Sequence, residues 1–295
     1  MNPTPAVAAV ESSHRTGDAA RRRAALFAAG STPPAPAVAG TFEALTSGGV
    51  AWEIAPAWRD LLAGDEGLPI DRWLREGNAT VIKHGAGRTV YRVDLAGRSF
   101  FIKHHRAPGL LKALKDLLRE GACRREYRRA RDLAERGVPA TRPIAVGETA
   151  RGLRGRDSYF VTEAIPDACS IDEYLALHLP GLTSTKRAEL RIRLIEAAAR
   201  LCATAHHAGV FHRDLHGGNI LIAHATTLAQ HTEAPQLFLA DLPSVGITGP
   251  LDYAQTRASL AMICSGFLNR MSETDRRRFW KEYLRARPDL KIADA

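Results

Sequence analysis

A chain of 295 residues with a 45% hydrophobic share has enough apolar material for a sizeable core, which excludes a fibrous or wholly disordered protein. The formal net charge of +9 asks for an anionic partner, and the four cysteines, Cys123, Cys169, Cys202 and Cys264, contain no Cys-x-x-Cys pair, against both structural zinc and a disulfide framework. No apolar run approaches the ~18 residues of a membrane span, and the short patch Ala6 to Val10 is too brief for the apolar core of a signal peptide, so a cytoplasmic protein with reduced thiols is expected.

Residues 1–40 are rich in Ala, Pro and Ser and include Thr32-Pro33-Pro34-Ala35-Pro36, a composition that cannot bury enough apolar surface to fold alone, so they are read as a disordered tail. An N-terminal extension follows at 41–77. It carries Trp52, Trp58 and Trp73 with helical spacing between polar groups and is expected to dress the lobe behind it.

From residue 78 the pattern changes. Thr80-Val81-Ile82-Lys83 runs into His84-Gly85-Ala86-Gly87-Arg88, then the alternating Thr89-Val90-Tyr91-Arg92-Val93, a turn at Ala96-Gly97, and Ser99-Phe100-Phe101-Ile102-Lys103. Strand, glycine loop, strand, turn, strand ending in Lys is the pattern of an ATP-binding lobe. Gly85 and Gly87 let backbone N–H groups come close to phosphate oxygens, and Lys103 can neutralise them. Alone, the Gly-x-Gly is equally an ordinary hairpin turn; Lys103 and the residues downstream favour the phosphate loop.

Residues 103–136 hold eleven Lys/Arg against five Asp/Glu. Nucleic acid is disfavoured as the partner, because no binding module accompanies the charge and no aromatic residues are interleaved as stacking platforms. The stretch from Leu110 to Arg119 spaces its leucines as an amphipathic helix with Lys112, Lys115 and Arg119 elsewhere, suited either to an anionic membrane surface or to packing on the small lobe. Helical periodicity then continues to Arg136 and stops at Gly137-Val138-Pro139. Of the two acids that could hold Lys103, Glu126 lies inside that helix, whereas Glu120 precedes Gly121. Glu126 is the expected partner.

The small lobe is expected to span 78–162 and the large lobe 163–295, with a hinge at Thr162-Glu163-Ala164-Ile165-Pro166 whose Glu163 to Ile165 backbone can receive an adenine. Arg187 to Gly209 reads as a long helix with Leu190, Leu194, Ala197 and Leu201 on a core-facing stripe. It leads into His212-Arg213-Asp214-Leu215-His216-Gly217-Gly218-Asn219. An acid and an amide five residues apart in a tight loop before an apolar strand form the layout of a kinase catalytic loop: Asp214 can orient an attacking hydroxyl, and Asn219 can hold Mg²⁺. Leu237-Phe238-Leu239-Ala240-Asp241 supplies the second metal ligand, Asp241. The sequel Leu242-Pro243 lacks the Gly of an Asp-Phe-Gly switch, so the metal site is read as one without an activation switch.

His216 stands where protein kinases place a Lys, and Asp-x-His-x-x-Asn is similar to the loop of aminoglycoside and choline kinases, which points to a small-molecule or sugar acceptor. His216 either contacts phosphate or is an orienting core residue bonded to a backbone carbonyl. Arg125-Glu126-Tyr127, Leu133, Gly137-Val138-Pro139-Ala140-Thr141, Ala145-Val146-Gly147-Glu148 and Phe160-Val161-Thr162-Glu163 resemble the bacterial lipopolysaccharide kinase family, the Kdo and heptose kinases of the inner core, over about residues 78 to 285. The resemblance implies an α+β, bilobal protein-kinase-like fold with a small β-rich N-lobe and a larger helical C-lobe. It implies ATP-dependent phosphorylation of a sugar hydroxyl on a glycolipid, the lipopolysaccharide core; the Asn219 and Asp241 pair adds Mg²⁺, and the basic segment adds peripheral contact with an anionic membrane surface as an expectation. Two other readings keep the fold: the same chemistry on a soluble small molecule or a protein side chain, and a nucleotide-binding pseudokinase. The complete set Lys103, Asp214, Asn219 and Asp241 argues against the last.

Overall fold

The computed structural model describes residues 41–64, 67–107, 120–150, 156–266 and 271–290. The expected tail at 1–40 and the expected amphipathic helix from Leu110 to Arg119 lie outside the described residues.

Seven strands form one antiparallel sheet: Glu43–Ser47 (β1), Val50–Ile54 (β2), Ala79–His84 (β3), Arg88–Leu95 (β4), Arg98–His105 (β5), Pro143–Thr149 (β6) and Ser158–Glu163 (β7), in the order β1-β2-β6-β7-β5-β4-β3. The expectation of helical spacing at Trp52 is corrected here. Val50, Trp52 and Ile54 alternate with less buried neighbours, a period of two, and Gly48 and Gly49, both at positive φ, turn β1 back onto β2. Trp52 pairs with Gly147 of β6, and its ring occupies the space a Cβ there would need. Residues 43–54 therefore belong to the sheet itself. Trp58 sits in a single 3₁₀ turn and Trp73 in the helix Ile70–Arg75 (α1). All three tryptophans join Tyr91, Val93, Phe100, Ile102 and Val161 in one apolar cluster on one face of the sheet.

The other face receives the helix Ala122–Glu135 (α2), whose Cys123, Tyr127, Ala130 and Leu133 recur every three or four residues and pack with Val146 and Phe160. Its arginines are mostly engaged within the protein. Arg124 reaches Glu53 and Glu148, Arg131 reaches Glu53 and Glu135, and Arg128 pairs with Glu120. The described part of the basic segment is thus a largely neutralised face rather than an open cationic one.

The second lobe contains Cys169–Ser170 (β8), Ile171–Leu177 (α3), Ser184–His207 (α4), Val210–His212 (β9), Ile220–Ile222 (β10), Leu237–Leu239 (β11), Val245–Ile247 (β12), Tyr253–Gly266 (α5) and Glu273–Ala286 (α6). On α4 the stripe Leu190, Leu194, Ala197 and Leu201 is buried as its spacing predicts. The helix starts before Arg187 because Thr183 caps it, accepting the Lys186 N–H at 3.4 Å. It ends at Gly209, which adopts φ +75° and has no room for a Cβ beside the Thr248 carbonyl.

The lobes share a core. One apolar cluster runs from Tyr127 and Leu133 of α2 through Leu239 and Leu242 to Leu194 and Tyr283. The segment leaving α2 is stitched to β11, with the Leu239 N–H donating to the Pro139 carbonyl at 2.9 Å and the Thr141 N–H donating to the Leu239 carbonyl at 3.1 Å. Among the described residues no helix is long and apolar enough to cross a membrane.

Candidate active site

Alternation along β5 sends Phe100 and Ile102 into the tryptophan cluster, so Lys103 faces α2. There its ammonium pairs with the Glu126 carboxylate, which is 3% exposed, while Lys103 keeps 20% of its side chain open. A carboxylate so buried needs a cation, and Lys103 is held in place by meeting that need. Its Nζ also lies 5.8 Å from the centre of the Phe160 ring. Glu120, outside the helix, turns to Arg128 instead.

The glycine loop is a tight turn between β3 and β4. The Gly85 N–H donates to the Arg88 carbonyl at 2.9 Å, and the Arg106 N–H donates to the Gly87 carbonyl at 3.1 Å. Neither Gly85 nor Gly87 has a positive φ, and nothing lies within 4 Å of where a Gly87 Cβ would stand. The backbone there does not demand glycine; the open space beside it does not collide with a bulky ligand either.

At the hinge, the Glu163 N–H donates to the Arg142 carbonyl at 3.0 Å and the Ala164 N–H to the Ser99 carbonyl at 2.9 Å. The Glu163 carboxylate is taken by Arg142 at 3.2 Å. The Ile165 N–H has no backbone partner among the described residues. No hydrogen bond or ion pair joins Gly85, Gly87, Glu163 or Ile165 to the Asp214 loop among the described residues.

In the second lobe the register of β10 on β11, Ile220 opposite Leu239, sets Asn219 level with Ala240. The Ala240 N–H donates to the Asn219 carbonyl at 2.9 Å, and Asp241 follows at once. Asp241 is left-handed, φ 54° and ψ 53°, a conformation that costs a non-glycine residue about 1 kcal/mol and is kept here by its neighbours. Behind it Leu242 is fully buried, the turn Leu242–Ser244 packs against α2, and Val245 of β12 pairs with His212. The backbone around Asp241 is thus held from both sides, by Asn219 before it and by α2 and β9 after it.

The Asn219 amide nitrogen donates to the Asp214 carbonyl oxygen at 2.8 Å and lies 3.5 Å from Asp214 Oδ2, which turns the amide oxygen away from the loop. The Asp214 carboxylate is 60% exposed. His216 Nδ1 accepts the Gly218 N–H at 3.1 Å, and its Nε2 lies 3.8 Å from Asp214 Oδ2. The alternative of a core residue bonded to a carbonyl is thus corrected: His216 is half-exposed, and its backbone partner is an N–H. Two residues escaped sequence reading. His212, 2% exposed, bridges Asp214 to Ala240, and burial pushes its pKa below the ordinary value. Its signal was its place at the head of the loop motif. Asp172, whose carboxylate lies against Gly217, carried no signal because only the fold brings it there.

Among the described residues no group of three or more His, Cys, Asp or Glu side chains gathers around a metal position. A pair of oxygen donors such as Asn219 and Asp241, completed by phosphate and water, still fits Mg²⁺, which keeps much of its own hydration.

An antiparallel sheet with a buried Lys–Glu pair, joined to a helical lobe bearing an Asp/Asn loop and a following Asp, defines a protein-kinase-like fold. A solved structure described as WaaP in complex with acyl carrier protein has this fold, with a TM-score of 0.57 at 23% identity over 79% of this chain and 88% of that one. The Lipopolysaccharide kinase (Kdo/WaaP) family matches residues 71–244, and the chain belongs to that family. It is 30% identical over 155 residues to the lipopolysaccharide core heptose(I) kinase WaaP of Pseudomonas aeruginosa, covering 50% of this chain and 53% of the relative. It is 29% identical over 131 residues to a protein of the same name from Escherichia coli, covering 43% and 48%. The chain thus spans about half the length of the curated relatives it matches.

Proposed function

We propose that this protein transfers the γ-phosphoryl group of ATP to a hydroxyl of a Kdo or heptose residue in the lipopolysaccharide inner core. The observation that carries the reading is the Lys103–Glu126 ion pair, which holds a phosphate-binding cation ready in a chain that also sets Asp214, Asn219 and Asp241 around one loop and strand.

In this reading Lys103 neutralises the phosphates, Gly85 and Gly87 leave room for them, and the Glu163 to Ile165 backbone meets the adenine. Asn219 and Asp241 hold Mg²⁺, which when bound neutralises charge on the β- and γ-phosphates. The exposed Asp214 carboxylate orients the acceptor hydroxyl and takes its proton as the oxygen bonds to phosphorus. The bond from that phosphorus to the β–γ bridging oxygen breaks, leaving ADP. His216, accepting from the Gly218 N–H, stiffens the loop that presents Asp214. Family membership favours a lipopolysaccharide acceptor over a soluble one, and the complete set of phosphate-handling residues disfavours a pseudokinase. The working place in this reading is the cytoplasmic face of the inner membrane, where the acceptor is anchored. The acyl carrier protein of the solved neighbour enters as a partner to be sought by co-purification.

The test is phosphate incorporation from labelled ATP into lipopolysaccharide from a strain lacking this protein, with purified chain and Mg²⁺. Incorporation that disappears in Asp214→Asn supports the reading; labelling of a soluble acceptor with none on the glycolipid overturns it.

A further inference from the structure

A phosphotransferase of the proposed kind must also hold its acceptor, and the strongest unexplained group beside the loop is Asp172. It is the second residue of α3, yet the helix does not need it as a cap. Ser170 Oγ accepts the Glu173 N–H at 3.2 Å and the Glu173 carboxylate accepts the Ser170 N–H at 2.9 Å, a closed capping box. The Asp172 carboxylate lies instead against Gly217 and Gly218, where a Cβ on Gly217 would collide with it. Neither glycine has a positive φ. Gly217 leaves room for the Asp172 carboxylate, and Gly218 leaves room for the His216 ring.

Asp172 Oδ2 is 4.0 Å from His216 Nδ1, and His216 Nε2 is 3.8 Å from Asp214 Oδ2. The three side chains form a row, 43%, 42% and 60% exposed in that order. Because Nδ1 accepts the Gly218 N–H, the ring hydrogen sits on Nε2, so the row presents a donor between two acceptors. A polyol matches that pattern, since each hydroxyl both donates and accepts. An ammonium only donates, and a phosphate would be repelled by two carboxylates.

Resting on the phosphotransfer reading, we propose that Asp172 receives a second hydroxyl of the acceptor while Asp214 holds the one that attacks. The sugar then lies across His216, and Asp172 is a specificity-determining residue for polyhydroxylated acceptors. The row is exposed, whereas the Asn219 backbone carbonyl turns toward β11, accepting the Ala240 N–H.

The probe is a core oligosaccharide freed of acyl chains and phosphate, used with the full chain in binding titrations without ATP and in steady-state assays. Asp172→Asn keeps the shape above Gly217 and should raise both Kd and KM for the oligosaccharide roughly tenfold or more, with the KM for ATP within about twofold. Asp172→Ala should act in the same direction, and the loss should shrink when the probe lacks one hydroxyl next to the phosphorylated position. A rise in the KM for ATP with unchanged oligosaccharide binding would overturn the assignment, as would wild-type protein that does not bind the oligosaccharide. Wild-type protein that binds it without phosphorylating it defeats the phosphotransfer reading alone, and weaker binding by Asp172→Asn would then still support the acceptor subsite.

Discussion

His212 donates from Nε2 to the Ala240 carbonyl at 2.9 Å while its Nδ1 accepts the Asp214 N–H at 3.2 Å, so one neutral ring ties the Asp214 loop to the segment that leads from β11 to Asp241. Phenylalanine at 212 would fill the space but leave that N–H and that carbonyl unpaired. We expect His212→Phe to lower unfolding stability by about 2 to 4 kcal/mol and turnover by roughly tenfold or more, measured by urea titration and steady-state kinetics. A variant as stable and active as the parent would show that the bridge does not set the geometry.

The two acids of the site should fail differently. In the proposed reaction Asp214→Asn removes the carboxylate assigned to orient the hydroxyl and leaves Lys103 and the glycine loop in place, so turnover should fall ~10²-fold or more with little change in ATP affinity. In the same reading Asp241→Ala removes a metal ligand that acts in the ground state, so Mg²⁺-ATP binding itself should weaken. Titration calorimetry with and without Mg²⁺ separates the cases, and an Asp241→Ala variant with unchanged Mg²⁺ dependence would remove Asp241 from the metal.

What could be read in advance divides along a physical line. Asp214 and Asn219 sit in one contiguous loop, and Glu126 lies on a helix bounded by Gly121 and Gly137, so local spacing was enough to anticipate that Asn219 meets Asp214 and Glu126 meets Lys103. Trp52 was misread because β2 is only five residues long and packs its Trp52 against Gly147 on β6, a contact remote in sequence. His216 and Asp172 were opaque for the same reason: what each ring or carboxylate touches is decided by α3 meeting the loop, and no periodicity encodes that meeting.

The hairpin joining β4 to β5 holds a removable strain. Ala96 at φ 52° and Gly97 at φ 72° form its two central positions, and alanine pays a steric cost in the left-handed region that Asn tolerates better. Ala96 is exposed and distant in function from the loop. Ala96→Asn should stabilise by ~0.5 to 1 kcal/mol and leave kinetics unchanged, whereas Ala96→Val should destabilise; thermal melts of the three proteins decide the order.

Electrostatic attachment to a membrane would draw little on Arg124, Arg128 and Arg131 of α2, which already meet Glu53, Glu120, Glu135 and Glu148. Lys112, Lys115 and Arg119, on the stretch read from the sequence as an amphipathic helix, are the candidates to test, and each basic residue near an anionic leaflet contributes ~1 kcal/mol. The protein is expected to sediment with anionic vesicles at low salt, to leave them at high salt, and to lose most of the binding when the three are changed to Glu. Equal partitioning onto neutral vesicles would favour a soluble acceptor.

Acid should loosen the second lobe through His206. Its ring is 1% exposed, meets the Tyr283 hydroxyl at 2.8 Å from Nδ1 and the Ser259 hydroxyl at 2.9 Å from Nε2, and lies near the buried Arg287. Burial, then the Arg287 charge, pushes its pKa from 6.5 down to about 4. Between those values the unfolded chain binds a proton that the folded one refuses, so stability rises with pH across that window and levels off above it. The group should account for up to about 3 kcal/mol lost on going from pH 7 to pH 4. His206→Gln keeps a hydrogen-bonding side chain but cannot titrate, so it should be less stable than the parent at pH 7.5 yet lose less on acidification. Urea midpoints at several pH values measure the difference, and parallel curves for the two proteins would show that His206 does not govern the acid response.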